Sequence, residues 1–183
     1  MKRLLSLAFL VLPLLVCSQK LDMSLVKNME PRNIGPAGMS GRITAIDAVT
    51  DNPDIIYVGS ASGGLWKSTS GGVTWKPVFE NEETASIGSV AIQQSNPSVI
   101  WVGTGEGNPR NSLNGGFGIY KSLDAGKTWK KMGLENTRHI YRVRIDPNNP
   151  NTVYAAAIGS PWGEHPERGV YRTQDGGKSW EKV

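Results

Sequence analysis

Ile119-Tyr-Lys-Ser-Leu-Asp-Ala-Gly-Lys-Thr-Trp129 decides the fold, because the chain carries it three times. Its counterparts are Leu65-Trp-Lys-Ser-Thr-Ser-Gly-Gly-Val-Thr-Trp75 and Val170-Tyr-Arg-Thr-Gln-Asp-Gly-Gly-Lys-Ser-Trp180. The closing tryptophans fall 54 and 51 residues apart. Two apolar runs precede each copy, set around an Asn-Pro pair. They are 43–49 and 55–60 around Asn52-Pro53, 87–93 and 99–104 around Asn96-Pro97, and 140–146 and 152–158 around Asn149-Pro150. Each unit reads as strand A, turn, strand B, loop, strand C, Gly-rich turn, strand D. Runs this short, bounded by turn residues and lacking helical periodicity, predict an all-β chain. A period near fifty with four strands per unit matches the blade of a β-propeller, whereas the coils of a solenoid are usually shorter.

The expected organisation is therefore blade 1 at 42–84, blade 2 at 85–136 and blade 3 at 137–183, the last cut within its final strand. Segment 19–41 is expected to supply a closing strand for the last blade. Three blades cannot close a ring, so the chain is expected to be a fragment of a longer protein.

Composition agrees with this reading. The 183 residues are 38% hydrophobic and 20% charged, with 22 Gly, 11 Pro and 6 Trp, which excludes a disordered or wholly membrane-embedded chain. Residues 1–18 have a basic head, Lys2 and Arg3, then a thirteen-residue apolar run broken only by Ser6 and Pro13. That run is too short to span a bilayer but suits a secretory signal cleaved after Ser18. A lipid anchor at Cys17, the one cysteine, is the competing reading, disfavoured by Val16 before it. Taking Lys2 and Arg3 from the 20 basic residues leaves 18 against 16 acidic ones, and no block of like charge remains. A nucleic-acid partner is disfavoured accordingly.

Within the repeat, Ser122, Asp124, Gly126, Thr128 and Trp129 fit the pattern Ser-x-Asp-x-Gly-x-Thr-Trp. Asp175, Gly177, Ser179 and Trp180 match it with Thr173 in first place, and Gly72, Thr74 and Trp75 match it with Ser70 standing where Asp belongs. A carboxylate here accepts bonds from turn amides, the Gly permits a positive φ, and the Trp buries its ring between blades. These residues are read as structural braces, not catalytic acids. The chain resembles the Asp-box (BNR-repeat) β-propellers, which include sialidases, xyloglucanase-like glycosidases, sortilin-type receptors and a photosystem assembly factor. The likeness extends over 33–183. It is strongest to large exported bacterial proteins of the glycosyl hydrolase-like or sortilin N-terminal-like kind, which share Val102-Gly-Thr-Gly-Glu-Gly-Asn108 and Arg168-Gly-Val-Tyr-Arg172.

Other motifs fail. Lys127-Thr128 and Lys178-Ser179 lack the first Gly of a phosphate loop, and Asn108 stands where a dinucleotide fingerprint needs its third Gly. Two histidines without ligand spacing imply no metal, and no cofactor is expected.

Successive turns of a meander lie at opposite ends of a blade. A–B and C–D turns share one end, while the irregular B–C loops and D–A connections share the other. The B–C loops are 105–116 and 160–169 in the later units and only 61–64 in the first. Irregular loops on a rigid scaffold are where binding and catalysis usually reside. The candidate ligand-binding residues there are Glu106, Asn108, Arg110, Arg138, Trp162, His165 and Arg168, and the candidate catalytic acids are Glu106, Glu164 and Glu167. The resemblance implies two functions, binding of a glycan or polypeptide as in sortilin-like receptors, or glycoside hydrolysis by carboxylates of that face. Binding is favoured. The Arg-Ile-Pro stretch of sialidases is absent, and Ser60-Ala-Ser-Gly-Gly64 lacks the Asp that xyloglucanase-like enzymes carry before Gly-Gly.

Overall fold

The computed structural model describes Asp22, residues 42–108 and residues 110–183. The expected leader at 1–18 and most of the 19–41 segment lie outside the described residues. Among the described residues twelve strands form three four-stranded antiparallel sheets. β1 (Ile43–Val49), β2 (Asn52–Ser60), β3 (Leu65–Thr69) and β4 (Lys76–Pro77) make the first. β5 (Ile87–Ile92), β6 (Ile100–Thr104), β7 (Ile119–Ser122) and β8 (Lys130–Lys131) make the second. β9 (Ile140–Ile145), β10 (Val153–Ala157), β11 (Gly169–Thr173) and β12 (Glu181–Lys182) make the third. Strand order within every sheet follows chain order, the meander of a propeller blade.

The first hairpin differs from the predicted one. β2 begins at Asn52, paired with Val49, so the turn is Thr50-Asp51 and the Asn-Pro pair belongs to the strand. The side chain of the Asn works alike in all three units. Asn52, Asn96 and Asn149 each accept the amide two residues on, at 3.3 Å, which bends the backbone locally.

Period-two alternation explains the packing. From the second sheet, Val90, Ile92, Val102 and Tyr120 pack against Tyr57, Leu65 and Phe79 of the first. Its alternate residues Ala91, Trp101 and Ile119 pack against Ile140, Val143 and Val153 of the third. Covered on both sides, β5 is buried along its whole length, while β1 and β9 are not. Neighbouring sheets approach closely, β2 on β5 and β6 on β9. A β-carbon at Gly59 would lie 2.5 Å from Ile87 Cγ2, and one at Gly103 would lie 2.6 Å from Ile140 Cγ2. Hydrogen bonds add to this seam: Asp47 accepts the Ile92 amide at 2.8 Å, and Ser89 accepts the Val143 amide at 2.9 Å.

The repeat tryptophans lock each sheet to the one before it. Trp129 donates Nε1–H to the Val78 carbonyl at 2.6 Å and meets Phe79 edge-on. Trp180 does the same with Met132 at 2.6 Å and with Trp101. Trp75, in the first unit, bonds its own Gly72 carbonyl and stays 38% exposed.

Candidate functional site

The hydrogen bonds separate two ends. At one, C–D turns are stitched to the starts of B strands: Gly71 donates to Asp54 at 3.1 Å, Ala125 to Ser98 at 2.9 Å and Gly176 to Asn151 at 3.0 Å. At the other, B–C loops are stitched to D–A connections. Gly64 donates to Ala85 at 2.8 Å, Gly105 to Ser86 at 2.8 Å and Gly116 to Arg138 at 2.6 Å.

At the turn end the carboxylates of Asp124 and Asp175 are saturated. Asp124 Oδ1 accepts the Ser122 hydroxyl at 2.8 Å and the amides of Lys127 and Thr128 at 3.0 and 2.8 Å, while Oδ2 accepts the Thr128 hydroxyl at 2.6 Å. Led by the Thr128 hydroxyl and then its amide, these donors hold the carboxyl down to about 2. Asp175 repeats the set with Thr173, Lys178 and Ser179, and the Ser179 hydroxyl and amide push it well below the usual range. Ser70 accepts the Thr74 amide at 2.9 Å, the one turn amide its hydroxyl takes. Gly72, Gly126 and Gly177 all have φ near +90°. A carboxylate engaged by four donors has no capacity left for proton transfer to a substrate.

The loop end is different. Glu106 is completely buried, its amide donating to the Asn114 carbonyl and the Ser86 hydroxyl. Its Oε1 accepts Arg42 Nε at 3.0 Å and also meets Nη2, tying the start of β1 to the loop after β6. Among the described residues Oε2 has no hydrogen-bond partner, and neither has the buried His139 Nδ1. Burial pushes the His139 imidazole below its ordinary value, opposed by its hydrogen bond to the Glu106 backbone.

The other sequence-derived residues scatter. Asn108 is half-buried and Arg110 exposed. Trp162, 70% exposed, and Glu164 project from the third loop. Arg168 spends its guanidinium on three carbonyls, Ile158 at 2.8 Å and Ser160 and Gly163 at 2.7 Å, bracing its own loop. Glu167 accepts the Tyr171 hydroxyl at 2.9 Å, and burial, followed by this carboxylate, pushes that phenol up to about 12. His165 Nδ1 accepts the Glu167 amide at 3.3 Å. Three of these residues do meet. Arg138, His165 and Glu167 line a groove of about 780 Å³ between the second and third loops, with Phe117 and Asn136. The sequence reading missed Phe117. Its signal is an aromatic side chain in a glycine-flanked loop, Gly116-Phe117-Gly118, where no core-facing alternation accounts for it. Among the described residues no cluster of His, Cys, Asp and Glu could hold a metal ion, and no helix is long and apolar enough to cross a membrane.

Solved structures share this architecture. An ancestral GH74 enzyme is 27% identical with a TM-score of 0.59, matching 78% of this chain and 18% of its own. The GH74 enzyme of Niastella koreensis is 24% identical at 0.59, over 76% and 21%. YCF48 from Cyanidioschyzon merolae is 19% identical at 0.54, over 80% and 38%. The chain thus spans about a fifth of the GH74 enzymes and under two-fifths of YCF48. Among curated proteins none matches it. The family described as "Sortilin, neurotensin receptor 3" matches residues 63–183, about two-thirds of the chain. With three propeller blades and this match, the chain belongs to the Sortilin-Vps10 family.

Proposed function

We propose that this chain contributes a ligand-binding surface to an exported β-propeller, and that the surface is the groove between the second and third long loops. The family's name is that of a receptor, and the groove has the chemistry of recognition. Phe117, 46% exposed, offers an apolar contact, Arg138 a cation and His165 a polar ring. That combination suits a glycan or a polypeptide. The secretory character of 1–18 underlies the export.

One observation favours binding over hydrolysis. A glycosidase needs two cooperating carboxyl groups, about 5–5.5 Å apart for retention or about 6.5–9.5 Å for inversion. Of the three candidates, Glu106 is buried against Arg42 and Glu167 is engaged by Tyr171, which leaves Glu164 alone. Glycoside hydrolysis is the alternative, favoured by the 27% identity to a GH74 enzyme. Glycan and peptide arrays, read beside sugar release from the same polysaccharides, separate the two. Binding without turnover, weakened about ten-fold by Arg138→Ala or Phe117→Ala, is the expected result. Sugar release abolished by Glu164→Gln overturns it.

A further inference from the structure

The opposite end of the sheets carries clustered lysines that loop-end binding leaves unused. Lys67 stands directly across from Lys76, and Lys121 directly across from Lys130. Like charges so opposed repel and weaken a sheet. A third lysine joins each pair from the next unit. Lys67 Nζ donates to the Ala125 carbonyl at 3.0 Å, in the turn that carries Lys127. Lys121 Nζ donates to the Gly176 carbonyl at 3.2 Å, in the turn that carries Lys178. Burial first, and then the charge of Lys127, lower the proton affinity of Lys67, with Asp124 opposing them, while burial alone lowers that of Lys121.

The ionised Asp124 offsets part of the charge on Lys67, but among the described residues it makes no ion pair with any of these lysines. The carboxylates of the two turns, Asp124 and Asp175, are spent on their own hydroxyls and amides. Among the described residues Lys76, Lys127, Lys130 and Lys178 form no ion pair. The third unit lacks the feature, because there Arg172 faces Glu181 and bonds it at 2.7 Å. The first triad opens on a groove of about 580 Å³, lined also by Thr74 and Trp129. Glu80 and Glu82 border the same groove past the end of β4, toward the loop end.

We propose that the turn end of the first two units is a binding track for an acidic polysaccharide, whose anionic groups sit on the Lys67–Lys76–Lys127 and Lys121–Lys130–Lys178 triads. Like-charged side chains that repel in the free protein are relieved when an anion is shared among them. A groove admits a single chain, whereas a bilayer surface cannot enter it. Single-stranded nucleic acid needs several stacking platforms, and this groove has one indole, already half-buried.

The test is calorimetric titration of the 183-residue chain at low salt with polygalacturonate and with dextran sulfate, against neutral dextran. Tighter binding of one or the other polyanion distinguishes carboxylate from sulfate. K127Q/K178Q removes one exposed lysine from each triad and leaves Lys67 and Lys121 bonded to their neighbouring turns. Affinity is expected to fall about ten-fold or more with the melting temperature unchanged or raised. R142Q/R144Q removes two exposed charges elsewhere and is expected to leave affinity within about two-fold. Equal losses in the two double variants overturn the proposal, as does failure of the parent chain to bind either polyanion. Tighter binding to single-stranded oligonucleotide, or to vesicles rich in phosphatidylglycerol, overturns it as well.

Discussion

Asp124 and Glu106 come from the same sheet, at its opposite ends, and they solve opposite problems. Asp124 sits in an open turn with donors on both oxygens, and its carboxyl is held down to about 2. Glu106 lies in an interior pocket, with Arg42 on one oxygen and no partner among the described residues on the other. The first is a local device, since its donors lie within four residues along the chain. The second is tertiary, because its partner is 64 residues away. A local device tolerates damage elsewhere, whereas a tertiary pair fails when either side is lost.

The largest effect should come from breaking the tertiary pair. Arg42→Ala strands a buried carboxylate, and chemical denaturation should record a loss of about 3–5 kcal/mol. Adding Glu106→Gln should return much of that loss, because the buried charge is then gone. A double variant no more stable than the single one would show that the Arg42 stem, not its charge, matters.

Asp124→Ala should cost less, since the freed turn amides are open to water. Asp124→Ser, which copies the hydroxyl of Ser70, should recover part of the loss. The pH dependence sharpens the contrast. With a folded value near 2, below the ordinary 3.8, the contribution of Asp124 is present above about pH 4 and fades as pH falls toward 2. Thermal melts between pH 5 and 2 should therefore show a smaller acid loss in Asp124→Ser than in the parent chain.

The smallest effect belongs to Arg110, exposed on the long loop. Arg110→Ala should change stability by no more than about 0.5 kcal/mol. A larger loss in a thermal melt would mean that the loop end is braced by its surface side chains as well as by Glu106 and Arg168.

One half of this contrast is legible in the sequence and the other half is not. The turn carboxylates can be read because their donors are neighbours along the chain: Ser-x-Asp-x-Gly-x-Thr-Trp contains the acceptor, its donors and the residue that permits φ of +86° at Gly126. Glu106 reads as a residue of an open, ligand-facing loop because glycines flank it. Those glycines are there for close packing instead. A β-carbon at Gly105 would lie 2.0 Å from the Arg138 carbonyl oxygen, and one at Gly107 would lie 2.5 Å from the Tyr141 ring. A glycine admitting flexibility and a glycine admitting a neighbour look alike in sequence. Arg168 misleads in a similar way, as a loop charge whose guanidinium holds the loop's own carbonyls.

The repeat, the four-strand unit, the Gly-rich turns and the two ends of the sheets all follow from the order of the residues alone. Each of these depends on local backbone chemistry or on alternation along one strand. Which side chains of the loop end stay free is a matter of packing between sheets. Packing buries Glu106 under the start of β1, brings Phe117 and Arg138 to one groove, and sets Lys127 beside Lys67. Those outcomes rest on how one sheet meets the next, where a close approach is set by the volumes of residues some fifty positions apart.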